Sequence, residues 1–409
     1  MMKVGSILVL CLLFFSCKET KVNGPNEGIW RAELAVMDNE ILPFNFKLTT
    51  IGAGEYRMET YNAEEVIAVD EIQIEGDSII IKMPVFEGYI AGTFTEEEIS
   101  GSFVKESLDR IVPFKAIHGE KDRFSLKNSA NAPTNVAGIW ETSFSEGTED
   151  HYMGKGFFVQ EGNKVTGTFR TATGDYRYLD GVVDGDSLKI SAFDGAHAFL
   201  FTAKITDSTL NGTFYSGNHF KEPFVAKRNP SFELPDADSL TFLNEGYDAF
   251  DFSFPDTDGS LVSLTDERFK NKVVIVQIMG TWCPNCLDET KFYVNYLNTH
   301  KNEELEVIGL AFESAKTQEK GFRAINRLKA RIGVDYPILL AQYGGTDKEM
   351  AQKKLPMLNH VLSYPTSIFI DKEGKVRKIH TGFNGPATGE KFVTFKKEFH
   401  EFVTSLLNQ

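Results

Sequence analysis

Val273-Val274-Ile275-Val276-Gln277-Ile278-Met279-Gly280-Thr281-Trp282-Cys283-Pro284-Asn285-Cys286 is the stretch on which the reading of this chain turns. An unbroken apolar run interrupted only by Gln277 predicts a strand buried on both faces. Gly280 breaks it, and an amphipathic pattern from about Pro284 to Leu297 predicts a helix. The strand therefore delivers Cys283 to a helix N-terminus. Unpaired backbone N–H groups and the positive end of the helix dipole stabilise a thiolate there, which marks Cys283 as the attacking sulfur. Pro284 suits the first helical turn, where a missing N–H does no harm. Cys286, three residues on and on the same face, is placed to resolve a mixed disulfide on Cys283.

On either side of this stretch the alternation of strands and helices continues. A hairpin is expected around Phe252–Phe254 and Leu261–Leu264 with its turn at Asp258-Gly259. Strands are expected at 305–311, around 337–340, at 366–370 and at 375–380, with helices near 318–332 and over 389–407. This is an α/β layer pattern. From Gly28 to about Arg228 the period differs: short alternating segments separated by Gly, Asp, Asn and Ser turns read as all-β. That region repeats itself. Gly28-Ile29-Trp30 answers to Gly138-Ile139-Trp140, Gly76-Asp77-Ser78 to Gly185-Asp186-Ser187, Gly101-Ser102-Phe103 to Gly212-Thr213-Phe214, and Pro113-Phe114 to Pro223-Phe224, at offsets of 110, 109, 111 and 110. A duplicated antiparallel unit follows, as two small barrels or sandwiches or one larger closed barrel, with Trp30 and Trp140 expected in its core.

Of four cysteines, Cys11 lies in a short apolar run (Val4 to Phe15) behind Lys3, the layout of a secretory signal. That run is shorter than the ~20 residues needed to span a bilayer. Phe14-Phe15-Ser16-Cys17 resembles a bacterial lipobox, departing from it at Phe14 where Leu is usual, and implies that Cys17 is acylated and anchors the chain. Cys283 and Cys286 are then the thiols left for chemistry, which is the usage of a reactive pair rather than of a disulfide-stapled scaffold. A zinc site would need two further ligands, and neither a second cysteine pair nor a closely spaced histidine pair supplies them, so no metal is expected.

Gly280-Thr281-Trp282-Cys283-Pro284-Asn285-Cys286, Tyr364-Pro365-Thr366 running into Ser367-Ile368-Phe369-Ile370-Asp371-Lys372-Glu373-Gly374-Lys375, and the β-α segment between them together resemble the thioredoxin superfamily, within it the exported TlpA/ResA-like thiol–disulfide oxidoreductases. The resemblance covers roughly residues 245–409. It implies a thioredoxin-like fold, a cis Pro365 facing the cysteines, Tyr364 and Trp282 beside the substrate, and no cofactor other than the redox-active Cys283–Cys286 disulfide. It also gives Glu289, nearly one helical turn beyond Cys286, the role of tuning thiol acidity. Gln277 occupies the strand position where cytosolic thioredoxins carry a buried aspartate, which leaves Glu289 as the base for Cys286.

The expected organisation is a signal segment over 1–16, a tether over 17–27, β repeats over 28–130 and 131–228, a linker over 229–248 and a thioredoxin-like unit over 249–409. The fold class is thus multidomain, all-β followed by α/β. Lys+Arg 43 against Asp+Glu 58 gives a net charge of -15, and the absence of any basic run sets nucleic acid aside as a partner. The expected partners are disulfide-containing exported proteins, an electron-donating thiol system at the membrane, and the membrane itself through the lipid anchor. The expected location is the bacterial cell envelope, as a periplasm-facing or outer-membrane lipoprotein. Two other readings compete. A peroxiredoxin-like peroxidase needs Pro-x-x-x-Thr-x-x-Cys, but Val276 and Gly280 stand at those positions relative to Cys283. A surface binding protein would carry its function in the β region, where the sequence shows no catalytic constellation.

Overall fold

In the computed structural model, which describes residues 24–52, 54–127 and 134–409, the alternating N-terminal region folds as two antiparallel sheets of nine strands each. The first holds β1 (Gly28–Ala35), β2 (Ile41–Gly52), β3 (Glu55–Asn62), β4 (Glu65–Val69), β5 (Glu71–Glu75), β6 (Ser78–Lys82), β7 (Tyr89–Phe94), β8 (Glu98–Lys105) and β9 (Arg110–His118). The second holds β10 (Gly138–Phe144), β11 (Tyr152–Glu161), β12 (Lys164–Thr171), β13 (Gly174–Asp175), β14 (Leu179–Asp184), β15 (Ser187–Phe193), β16 (Ala198–Ile205), β17 (Thr209–Ser216) and β18 (Phe220–Arg228). In each, the first strand pairs with both the second and the last. The expected signal segment over 1–16 with Cys11, the start of the expected tether with Cys17, and residues 128–133, where the two expected repeats meet, lie outside the described residues.

The duplication extends to single atoms. Trp30 and Trp140 are both fully buried, and each indole Nε1 donates to the backbone carbonyl four residues earlier, Asn26 at 2.9 Å and Val136 at 2.8 Å. Burial of an indole is tolerated because its one polar atom is satisfied. Gly28 and Gly138 turn the chain into these strands at φ of 121° and 112°, a region L side chains avoid.

The two copies differ in closure, which the sequence left open. In the second, β12 pairs with β11 along one edge and shares its other edge between β13 and β14, so a ring of eight strands closes. In the first, β4 takes the free edge of β3 from Met58 to Asn62, and β4 and β5 remain the two ends of an open sheet.

Beyond the linker come the hairpin β19 (Ser253–Pro255) and β20 (Leu261–Ser263), then β21 (Val273–Met279), α1 (Pro284–Thr299), β22 (Leu305–Phe312), α2 (Gln318–Ile332), β23 (Ile338–Gln342), α3 (Lys348–Lys354), β24 (Thr366–Ile370), β25 (Val376–Thr381) and α4 (Glu390–Leu407). The sheet order is β23-β22-β21-β24-β25, with β21, β22 and β23 parallel and the last two antiparallel. Aromatic packing of Phe292 on Phe399, centroids 4.8 Å apart, holds α1 against α4. Helix α3 was not anticipated: it is short and highly charged, and it starts where the Asp347 side chain accepts from the Met350 N–H at 2.8 Å.

One cluster of buried apolar side chains runs from the first sheet, through Phe193 and Leu200 of the second, into the C-terminal sheet. Phe44 stacks on Phe193 with centroids 4.2 Å apart. A separate cluster of side chains fills the closed barrel.

Candidate active site

Cys283 is the N-cap of α1, with extended backbone angles, and Pro284 follows at the first helical position. Its Sγ accepts from the Cys286 N–H at 3.2 Å and lies 3.4 Å from the Tyr364 carbonyl oxygen. Cys283 and Cys286 are joined as a disulfide, Cα atoms 5.2 Å apart; Cys286 is fully buried and Cys283 only 6% exposed. The Tyr364–Pro365 bond is cis. Trp282, half-buried, donates its indole N–H to the Phe312 carbonyl at 2.9 Å and meets the Tyr364 ring edge to face. The structure thus gathers Trp282, Cys283, Cys286, Tyr364 and Pro365 at one end of the sheet, where β21 hands over to α1.

Glu289 is buried beneath this surface. In the sheet register Gln277 stands opposite Ser367, so both side chains face the same side, and it is the side on which Glu289 sits. Gln277 Nε2 donates to Glu289 Oε2 at 2.9 Å and to the Cys286 carbonyl at 3.2 Å, tying the carboxylate to the backbone of the second cysteine. Tyr293 and Ser367 donate to Glu289 Oε1 at 3.1 and 3.0 Å. Burial pushes the Glu289 carboxyl up to about 7, against the opposing pull of these hydrogen bonds.

Two features were not visible in the sequence. Glu313, at the end of β22, is buried and accepts from the Thr281 N–H at 2.8 Å and from its hydroxyl at 2.7 Å, fixing the turn that carries Trp282 and Cys283. Burial raises this carboxyl to about 7 as well. An acidic residue just after a strand reads as a surface charge; only the parallel pairing of β22 with β21 brings it beneath the motif.

The second feature is a wall. The β12–β14 segment of the closed barrel stands against the cysteine motif; the size of the β region predicts a part in positioning the redox unit, recruiting clients or association, but no motif in it marks these residues. The Asn285 side chain donates to the Asp175 carbonyl at 3.2 Å, and the Ser363 hydroxyl to the Thr173 carbonyl at 2.9 Å. Asp175 in turn accepts from the Gly385 N–H at 2.6 Å, which gives the 381–387 loop a docking role. A Cβ on Gly174, where φ is 146°, would come within 2.1 Å of Asn285 Nδ2, so the approach requires glycine. Arg177, buried, pairs with Asp288 of α1, with Glu65 of the first sheet at 2.5 Å and with Asp194 at 3.5 Å. One guanidinium thereby joins both β units to the helix that carries the cysteines. Between wall and motif lies a cleft of about 710 Å³, lined among others by Tyr152, Tyr176, Phe199, Trp282, Cys283 and Tyr364.

A dithiol so placed can open a disulfide and close on itself. Comparison with known proteins agrees with that chemistry. The Redoxin family model matches residues 244–393. The chain is 29% identical to the thiol-disulfide oxidoreductase ResA of Bacillus subtilis over 140 residues, covering 34% of this chain and 69% of that one. It is 30% identical to the thioredoxin-like protein YneN of the same organism over 140 residues, covering 34% of this chain and 73% of that one. A solved thiol-disulfide oxidoreductase from Bacteroides fragilis aligns over 36% of this chain and 99% of its own at 22% identity, with a TM-score of 0.26. The two sequence relatives are each matched over more than two thirds of their length, and on that likeness the chain belongs to the thioredoxin superfamily as a TlpA/ResA-like disulfide oxidoreductase.

Proposed function

We propose that this chain is a lipid-anchored, extracytoplasmic thiol–disulfide oxidoreductase that reduces disulfides of exported proteins. The observation that carries the reading is the placement of Cys283 Sγ, capping α1 and 3.4 Å from the Tyr364 carbonyl, with Cys286 buried behind it. In the dithiol form, the Cys283 thiolate attacks one sulfur of the client disulfide, and the departing client sulfur takes up a proton. Cys286 then loses its proton, with Glu289 as the base, and attacks Cys283 Sγ. The second client sulfur leaves as a thiol, and the Cys283–Cys286 disulfide forms. The client has gained two electrons and two protons; a membrane thiol system restores the dithiol. The pair itself is the only redox group this requires. Acylation of Cys17, at the end of the lipobox-like Phe14-Phe15-Ser16-Cys17, supplies the anchor.

The test is the redox state of Cys283 and Cys286 in cells, read by acid quench, thiol alkylation and gel shift, beside a Cys286→Ala variant that traps mixed disulfides. A mostly reduced pair with trapped protein adducts is expected. A mostly oxidised pair would reverse the direction of electron flow, and a pair that forms no adducts would move the function to the β region.

A further inference from the structure

The cleft over Cys283 does not end at the cysteines. Tyr176, His197, Phe199 and Trp282 line both it and a second cavity of about 410 Å³, which is bounded by the first sheet, the closed barrel and the C-terminal unit together. The far wall of that second cavity carries Lys105 and Arg110, both half-buried among Phe103, Phe214 and Phe220. Neither forms an ion pair among the described residues, although the chain has fifteen more acidic than basic residues and pairs Arg177 three times over. Lys105 donates one bond, to the Ala196 carbonyl at 3.0 Å. Lys348, exposed, lines the cleft on the cysteine side and is likewise without an ion pair. The carboxylates lining the two spaces are already occupied by donors: Glu87 by the Ser107 N–H and hydroxyl, and Asp175 by the N–H groups of Arg177 and Gly385. A half-buried cation without a paired carboxylate is only partly compensated, and here two of them line a cavity that shares Tyr176, His197, Phe199 and Trp282 with the cleft over Cys283.

We infer that this cavity is the specificity pocket of the enzyme and that it receives an acidic side chain of an extended client segment whose disulfide lies over Cys283. The inference rests on the reductase reading above. Aromatic walls suit an unfolded segment, which presents backbone and apolar side chains. Cys283, 6% exposed and lining the cleft, favours a disulfide carried on an extended segment over one held flat on a folded surface, and the two cations select Asp or Glu over Lys near the cysteine. Because the cavity is built from both β units, it explains why a thioredoxin-like unit carries two of them.

The test uses the full chain, fully reduced, in single turnover against a short peptide whose one cysteine is joined in a disulfide to thiopyridine, a neutral coloured leaving group. The dithiol becomes the Cys283–Cys286 disulfide, and peptide thiol and thiopyridine are released. The peptide is made in three forms, with glutamate, glutamine or lysine beside the cysteine. The glutamate form should react about tenfold faster than the glutamine form and the lysine form slowest, with the spread collapsing at high salt. The glutamate-to-glutamine ratio should fall to about one in Lys105→Gln/Arg110→Gln and persist in Lys105→Arg/Arg110→Lys, a contrast that a general loss of folding does not produce. A ratio of one in the parent chain, or one unchanged in the neutral variant, would overturn the pocket assignment. Failure of all three peptides to react would instead overturn the reductase chemistry beneath it.

Discussion

Glu289 has hydrogen-bond donors on both oxygens but no ion-pair partner among the described residues, and burial sets its proton affinity. With its carboxyl near 7, it is protonated in mildly acidic conditions and can accept the Cys286 proton only as pH rises through that value. Single-turnover exchange should therefore rise with an inflection near pH 7, and Glu289→Gln should remove the inflection and slow the resolving step by about 10²-fold. Unchanged rates would take Glu289 out of the mechanism. The same carboxyl carries a stability signature. An unfolded value of 4.5 raised to about 7 means that the folded state binds the extra proton between them, so its contribution is intact below about pH 4.5 and is lost as pH climbs toward 7. The difference in unfolding free energy between the parent and Glu289→Gln should shift by about 3 kcal/mol across that window, read by denaturant titration at each pH. At this scale the sequence was legible where spacing along one element decides the contact. Cys283, Cys286 and Glu289 share one helix, and their relation follows from its period. Glu313 and Arg177 were not legible, because each meets its partners only through the pairing of distant segments.

The helix α1 is held on two faces, by its own sheet through Gln277 and by the closed barrel through Asn285 and Asp288. The barrel contact depends on Arg177, whose removal leaves Glu65 with no ion-pair partner among the described residues, Asp194 with only His197 at 3.3 Å and Asp288 with only Lys291 at 3.9 Å. Arg177→Met should cost about 3–5 kcal/mol of stability by chemical denaturation, the range for breaking a buried ion pair from one side. Asp288→Asn should cost clearly less, because Arg177 keeps Glu65 and Asp194. Equal losses would mean that the cluster does not act as a unit. Apart from the short, charged α3, the strands and helices of the C-terminal unit were readable because their hydrophobic periods are long and unmixed, as in Val273–Met279 and Gln318–Ile332. The duplication was readable because glycine turns and tryptophans mark equivalent points. The different closure of the copies was not, since it depends on which neighbour takes the free edge of β3 or β12, a choice that strand-forming sequence on every side leaves undetermined.

Across the whole molecule, the arrangement places a redox pair at the floor of a cleft rather than on an open face. Reduced Cys283 should then react with N-ethylmaleimide about tenfold faster than with the same maleimide on a 5-kDa polyethylene glycol chain, with the gap closing in denaturant. Equal rates in the native protein would show that the barrel does not cover the site. Asn285 has a part in this that reaches past its own contact. It belongs to the dipeptide between the cysteines, a position usually read as a dial on reduction potential, and it also receives the barrel at Asp175. Its identity is thus answerable to two demands at once. Exchanging Pro284-Asn285 for the dipeptide of another oxidoreductase would retune the sulfur chemistry and loosen the joint between units together, so neither can be altered at this position by itself.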